Sequence, residues 1–68
     1  MTTLGDELPR QIARVRDEII PVYLEIGPGG IPAVMLMRAD LDRASKAMIE
    51  GDVVEMLRIC QKLSEWQL

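Results

Sequence analysis

The run Gly27-Pro28-Gly29-Gly30 interrupts a chain of 68 residues that is otherwise periodic in its apolar positions. Glycine tolerates backbone conformations that other residues avoid, and a proline ring cannot continue a helix, so we expect a turn here. A second break stands at Gly51. We expect a helix to end there with Gly51 in the left-handed backbone conformation, and Asp52 to cap the helix that follows. These two breaks divide the sequence into three segments.

The segment before the first break predicts one helix over about residues 7–26. Its apolar positions recur in steps of three and four, which is typical of an amphipathic helix. They are Leu8, Ile12, Val15, Ile19, Val22 and Ile26. Asp6 is the expected N-cap, and Pro9 then falls in the first turn, where its missing N–H has no helical partner. Pro21 removes a hydrogen bond from the middle of the helix, so we expect a kink or a break there.

The remaining segments predict helices over about residues 32–50 and 53–66, each with its own apolar stripe. The short connection Glu50-Gly51-Asp52 requires these two helices to run antiparallel as a hairpin. We therefore predict an all-α protein with a single helical domain over residues 1–68.

The amount of apolar surface predicts self-association. Hydrophobic residues make up 49% of the chain, more than one small bundle of three helices can hide. At roughly 25 cal/mol per Å² of apolar area, leaving several such side chains in water forfeits several kcal/mol. That loss is comparable to the whole stability of a small domain. We expect a homodimer or a higher homo-oligomer.

The composition argues against an enzyme and against a metal or cofactor site. The chain has no His and one Cys, which excludes His-based acid–base chemistry, a Cys/His zinc site and an intramolecular disulfide. Asp40 and Asp42 stand two residues apart on a helix and point to different sides. Ser45 has no activating base. We predict no catalytic residue.

Charge and hydropathy predict the compartment. Eight basic and eleven acidic residues give a net charge of −3, the wrong sign for general nucleic-acid binding. The first residues lack the basic start and apolar stretch of a signal peptide. The longest apolar run, 31–37, is too short to span a bilayer. We expect a cytoplasmic protein that does not contact the membrane.

Two sets of residues are candidates for binding. Gly29 and Gly30 precede a helix, where we expect their free N–H groups to face an anion. Arg38, on the helix that follows, is expected to reach toward the same anion. The alternative is a plain turn between helices. The second set is an interface in which methionines line an adaptable groove and aromatic side chains anchor a partner. Its members are Tyr23, Val34, Met35, Met37 and Trp66. The alternative is that the methionines fill the core and Trp66 covers it.

Three runs of this sequence resemble the short helical proteins encoded by bacteriophages and prophages. They are Leu4-Gly5-Asp6-Glu7-Leu8-Pro9, Glu25-Ile26-Gly27-Pro28-Gly29-Gly30 and Met37-Arg38-Ala39-Asp40-Leu41-Asp42. Such proteins often act without catalysis, by blocking a component of a bacterial immune pathway. The resemblance implies sequestration of a host immune protein, or of a nucleotide second messenger held between protomers. The alternative is a structural or regulatory oligomerisation protein of a phage or prophage that takes no small ligand.

Overall fold

A computed structural model of the chain describes residues 3–68, and every regular element in that range is helical. In chain order the elements are α1 (Leu4–Arg14), a π-helical turn (Val15–Ile19), α2 (Ile20–Glu25), a 3₁₀ turn (Pro28–Gly30), α3 (Ile31–Glu50) and α4 (Val53–Glu65). The first three follow one another without a gap and make up the first of three helices. The predicted all-α class and the three helices are confirmed for the described residues.

The first helix begins earlier than predicted, because Thr3 and not Asp6 is its N-cap. The Thr3 hydroxyl accepts a hydrogen bond from the Asp6 backbone N–H at 3.2 Å. The carboxylate of Asp6 lies in the first turn, where it complements the positive end of the helix dipole. Pro9 consequently lies inside α1 and not in its first turn.

Pro21 does not end the helix, because the turn before it widens. Over Val15–Ile19 the backbone is π-helical, and the N–H of Ile20 donates to the carbonyl of Val15, five residues back. A proline ring crowds the carbonyl four residues before it, here that of Asp17, and a wider turn accommodates both the ring and the missing N–H. The chain continues as α2 to Glu25.

The glycine turn brings the end of α2 close to the start of α3. Gly27 has a φ of 91°, a conformation that favours glycine. Gly30 is buried, and a Cβ at this position would lie 2.0 Å from the carbonyl oxygen of Tyr23. The close approach of the two helices therefore depends on the missing side chain at Gly30.

The connection between α3 and α4 forms as the sequence predicts. Gly51 adopts the left-handed conformation, and the N–H of Asp52 donates to the carbonyl of Ala47. The Asp52 carboxylate then accepts from the N–H of Glu55 at 3.1 Å and caps α4. The Glu55 carboxylate binds Arg43 on α3.

All three helices contribute to one core of aliphatic side chains. The buried hydrophobic residues are Leu8, Val15, Ile19, Ile20, Val34, Met37, Ala44, Ala47, Ile59 and Leu63. Tyr23 and Trp66 pack against the edge of this core and are partly buried. Arg14 ties α1 to α4, because its Nη2 donates to the carbonyl of Leu63 at 2.8 Å. Within residues 3–68, no helix is both long enough and apolar enough to cross a membrane.

Candidate functional site

The structure corrects part of the predicted interface. Val34 and Met37 lie in the core of a single chain and cannot face a partner. They fall on the side of α3 that packs against the other helices, whereas Met35 is 67% exposed. Tyr23 and Trp66 are partly buried. Of the five predicted interface residues, only Met35 is openly exposed.

The surface carries more large apolar side chains than the core. Twelve are exposed, against ten buried hydrophobic residues, in the part of the chain that the structure describes. The exposed ones are Val22, Leu24, Ile26, Ile31, Met35, Leu36, Met48, Ile49, Val53, Val54, Leu57 and Leu68. Isolated apolar side chains on a surface need no explanation, but contiguous ones mark interaction sites.

One group of them surrounds the glycine turn. Ile26 packs against the turn, since a Cβ at Gly30 would lie 3.5 Å from the Ile26 Cβ. Ile31 is the next residue along the chain, and Met35 lies one helical turn after it on α3. We call Ile26, Ile31 and Met35 the turn patch. It is a compact apolar surface at the first turns of α3.

A second group forms a stripe along α4. Its members are spaced by steps of four, three and four, so they share one side of the helix. They are Val53, Leu57, Cys60 and Ser64, which we call the α4 stripe. Val53 is 57% and Leu57 is 55% exposed, Ser64 is exposed, and Cys60 is partly buried. None of the four carries a formal charge.

The charged residues of α4 lie away from this stripe. Glu55 binds Arg43, and the Lys62 ammonium lies 2.9 Å from an Asp40 carboxylate oxygen, so both are turned toward α3. Arg58 comes directly after Leu57, and one residue is about 100° of rotation around a helix. The ion pairs thus hold α4 on α3 while its other side stays uncharged.

A groove of about 550 Å³ runs beside the α4 stripe. It is lined on one side by Leu57, Cys60, Gln61 and Ser64, and on the other by the start of α1 with Leu4 and Glu7. Hydrogen bonds from Arg10 and Gln11 hold the pKa of Glu7 below its ordinary value. Burial raises the pKa of the Cys60 thiol. At neutral pH the groove therefore holds a neutral thiol and one carboxylate that is already paired.

Asp40 is a buried acid, whereas the sequence analysis points only to a carboxylate unsuited to catalysis. It is 2% exposed, and one of its carboxylate oxygens accepts from the Trp66 indole N–H at 3.1 Å. Lys62 neutralises the other oxygen. A signal was present in the sequence, because Asp40 lies three residues after Met37 and four before Ala44, on the buried side of α3. Trp66 therefore covers the core, with its polar atom bonded inside the chain.

The structure gives the glycine turn a packing role. The N–H of Gly30 donates to the Gly27 carbonyl at 2.9 Å, and the N–H of Ile31 donates to the carbonyl of Pro28. Of the two amides that the sequence analysis proposes for an anion, that of Gly30 is thus engaged within the turn, and the neighbouring amide of Ile31 is engaged as well. Arg38 is exposed eight residues after Gly30, which is about 12 Å along a helix, so it is not brought to the turn.

No group of three metal-ligating side chains lies close enough to hold an ion among residues 3–68. Comparison of the chain with protein-family models, curated proteins and solved structures finds no match.

Proposed function

We propose that this protein is a non-enzymatic, self-associating helical module that binds and sequesters a protein partner. The observation that carries the proposal is the excess of exposed over buried apolar side chains in a single copy. Covering one Val, Leu, Ile or Met side chain is worth about 1.5–3 kcal/mol. A small domain has only about 5 kcal/mol or somewhat more of total stability, so covering several of them is a large gain.

The framework of the module is a hairpin of α3 and α4. Contacts between these helices support an antiparallel arrangement, because residues later in α3 meet residues earlier in α4. Arg43 binds Glu55, whereas Asp40 binds Lys62 and Trp66. In such a hairpin, the turn patch lies at one end of α3 and the start of the α4 stripe lies at the other end.

Two separate apolar surfaces allow two separate tasks. Ile31, in the turn patch, begins α3, whereas Val53 of the α4 stripe follows the other end of α3, a helix of 20 residues that is about 30 Å long. One surface can join copies of the chain while the other stays open. We assign the partner to the turn patch, because the unbranched Met35 side chain adapts to the shape of what it contacts.

The nature of the partner follows from the resemblance to phage and prophage proteins. We propose a host protein of a bacterial immune pathway, captured in the cytoplasm of the host cell. Capture without chemistry agrees with a chain that has no His and one partly buried Cys. A nucleotide phosphate would have to bind the turn without the amides of Gly30 and Ile31, which already donate within it, so we favour a protein partner.

The same two surfaces also favour a second function, an oligomerisation protein without a partner. If the turn patch of one copy contacts the α4 stripe of the next, the contact is head-to-tail and generates an open series of assemblies. A molar mass from light scattering that keeps rising with protein concentration supports this function. A plateau at one small assembly supports the sequestering module.

A charge placed in the turn patch tests the assignment of the partner. We expect Met35→Glu to weaken binding of a co-purifying host protein at least tenfold, because a carboxylate replaces an apolar contact. Affinity is measured by titrating the purified partner against immobilised protein. The matched control is Ala39→Glu, which adds the same charge at an exposed position one turn later on α3. Equal binding by wild type and Met35→Glu would show that the partner docks elsewhere.

A further inference from the structure

The α4 stripe has the spacing of a helix that packs against a second helix. Steps of four, three and four are those of a coiled-coil seam, and here they occur on the exposed side of α4. Core contacts of the same helix run through Ile59 and Leu63, on a different side. Helix α4 thus has one apolar side packed within its own chain and another side that is exposed at Val53, Leu57 and Ser64 and only partly covered at Cys60.

The stripe is also divided by size. Its first half has the larger side chains of Val53 and Leu57, and its second half has the small side chains of Cys60 and Ser64. Two such stripes that meet in opposite directions place large side chains against small ones. A two-fold axis between Leu57 and Cys60 sets Leu57 against the partner's Cys60 and Val53 against the partner's Ser64. Such a two-fold contact is self-complementary and closes with two copies.

On this basis we propose that a second copy of the chain occupies the α4 stripe, with the two α4 helices antiparallel about that axis. The inference rests on the proposed self-association and names the surface that carries it. The groove between α4 and the start of α1 is already open along the same residues, which leaves room for the second helix. The stripe itself is uncharged, so no like charges meet along it, and the Glu7 carboxylate on the opposite wall of the groove is paired with Arg10.

The side chains that the second copy would cover are the exposed apolar ones of the stripe. Val53 is 57% and Leu57 is 55% exposed, and the two-fold axis covers each of them twice in the dimer. Leu4, on the wall that α1 forms, borders the same groove and adds to the contact.

Disulfide crosslinking tests the register directly. We expect a mixture of wild type with the double variant Leu57→Cys/Cys60→Ser, each with one thiol per chain, to give a covalent dimer under mild oxidation, with peptide mapping that joins position 57 of one copy to position 60 of the other. Wild type alone is a matched control: its two Cys60 thiols would lie on opposite sides of the axis, about three residues or roughly 4.5 Å apart along the helices. The double variant alone is a second control, because its two thiols at position 57 would also lie about three residues apart along the helices. We expect neither control to crosslink efficiently.

A charge in the stripe gives an independent measurement. Leu57→Glu is expected to weaken self-association about 100-fold, since the two-fold axis places the change twice in each dimer. Arg58→Glu, on the neighbouring side of α4, is expected to change it less than threefold. Circular dichroism checks that both variants keep their helices, as expected for exposed positions.

The possible results separate this inference from the proposed function. If the wild type self-associates but the mixture gives no 57-to-60 crosslink and Leu57→Glu still assembles, copies meet through another surface and the inference is wrong. If the wild type is a monomer at every concentration, the proposed function fails and the inference fails with it. A 57-to-60 crosslink together with loss of assembly in Leu57→Glu supports both.

Discussion

Gly30→Ala is expected to lower the free energy of unfolding by about 3 kcal/mol or more, a large part of the stability of a domain this small. The new Cβ would lie 2.0 Å from the carbonyl oxygen of Tyr23 and 3.0 Å from its carbonyl carbon. Both atoms belong to the backbone, which cannot rotate aside as a side chain does. The end of α2 and the start of α3 would have to separate. Urea unfolding followed by circular dichroism at one fixed protein concentration measures the loss.

Gly29→Ala is the matched control for this prediction. Gly29 is exposed, its φ is not positive, and a Cβ there would make an ordinary contact of 3.9 Å with the Ile26 side chain. We expect a change within about 0.5 kcal/mol. Equal losses in the two variants would contradict the close contact between Gly30 and the Tyr23 carbonyl.

Asp40→Ala is expected to cost about 2–3 kcal/mol of unfolding free energy. The substitution removes the acceptor of the Trp66 indole N–H and the partner of the Lys62 ammonium. Lys62 is about half exposed and recovers water, so the cost stays below that of a fully buried pair. Trp66 is the single tryptophan of the chain, and its fluorescence is expected to shift to longer wavelength as the indole is released.

Two further variants separate charge from hydrogen bonding at Asp40. Asp40→Asn keeps an oxygen that can accept from Trp66, so we expect about half the loss and little shift in emission. Asp42→Ala removes the same charge from an exposed position on α3 and is expected to change stability by less than about 0.5 kcal/mol. Unchanged emission and stability in Asp40→Ala would show that Asp40 does not hold Trp66.

Local signals in the sequence predict the helices well. A glycine after Glu50 and an aspartate before Val53 specify a helix end and a helix start within a few residues, and both form as expected. The start of the first helix is different, because Thr3 and Asp6 are both good N-caps at neighbouring turns. The sequence alone does not rank them, and the structure selects Thr3.

Contacts between distant residues explain most of what the sequence did not predict. Met35 and Met37 are chemically identical, and only the rotation of α3 against the other helices decides that one is exposed and the other buried. Asp40 has its partner in Trp66, 26 residues later. At Gly30 the sequence predicts an N–H group that faces an anion, and nothing in the glycine run indicates which distant atom comes close to this residue. Here the Tyr23 carbonyl approaches it.

The proposed module depends on apolar surface that a single copy leaves uncovered. Sedimentation velocity of the wild type over a wide range of concentration, with a hydrophobic dye added in parallel, measures this most directly. We expect the mass to rise with concentration to a closed assembly, and dye binding per chain to fall as it forms. A folded single subunit at every concentration, with no dye bound, would contradict the proposal.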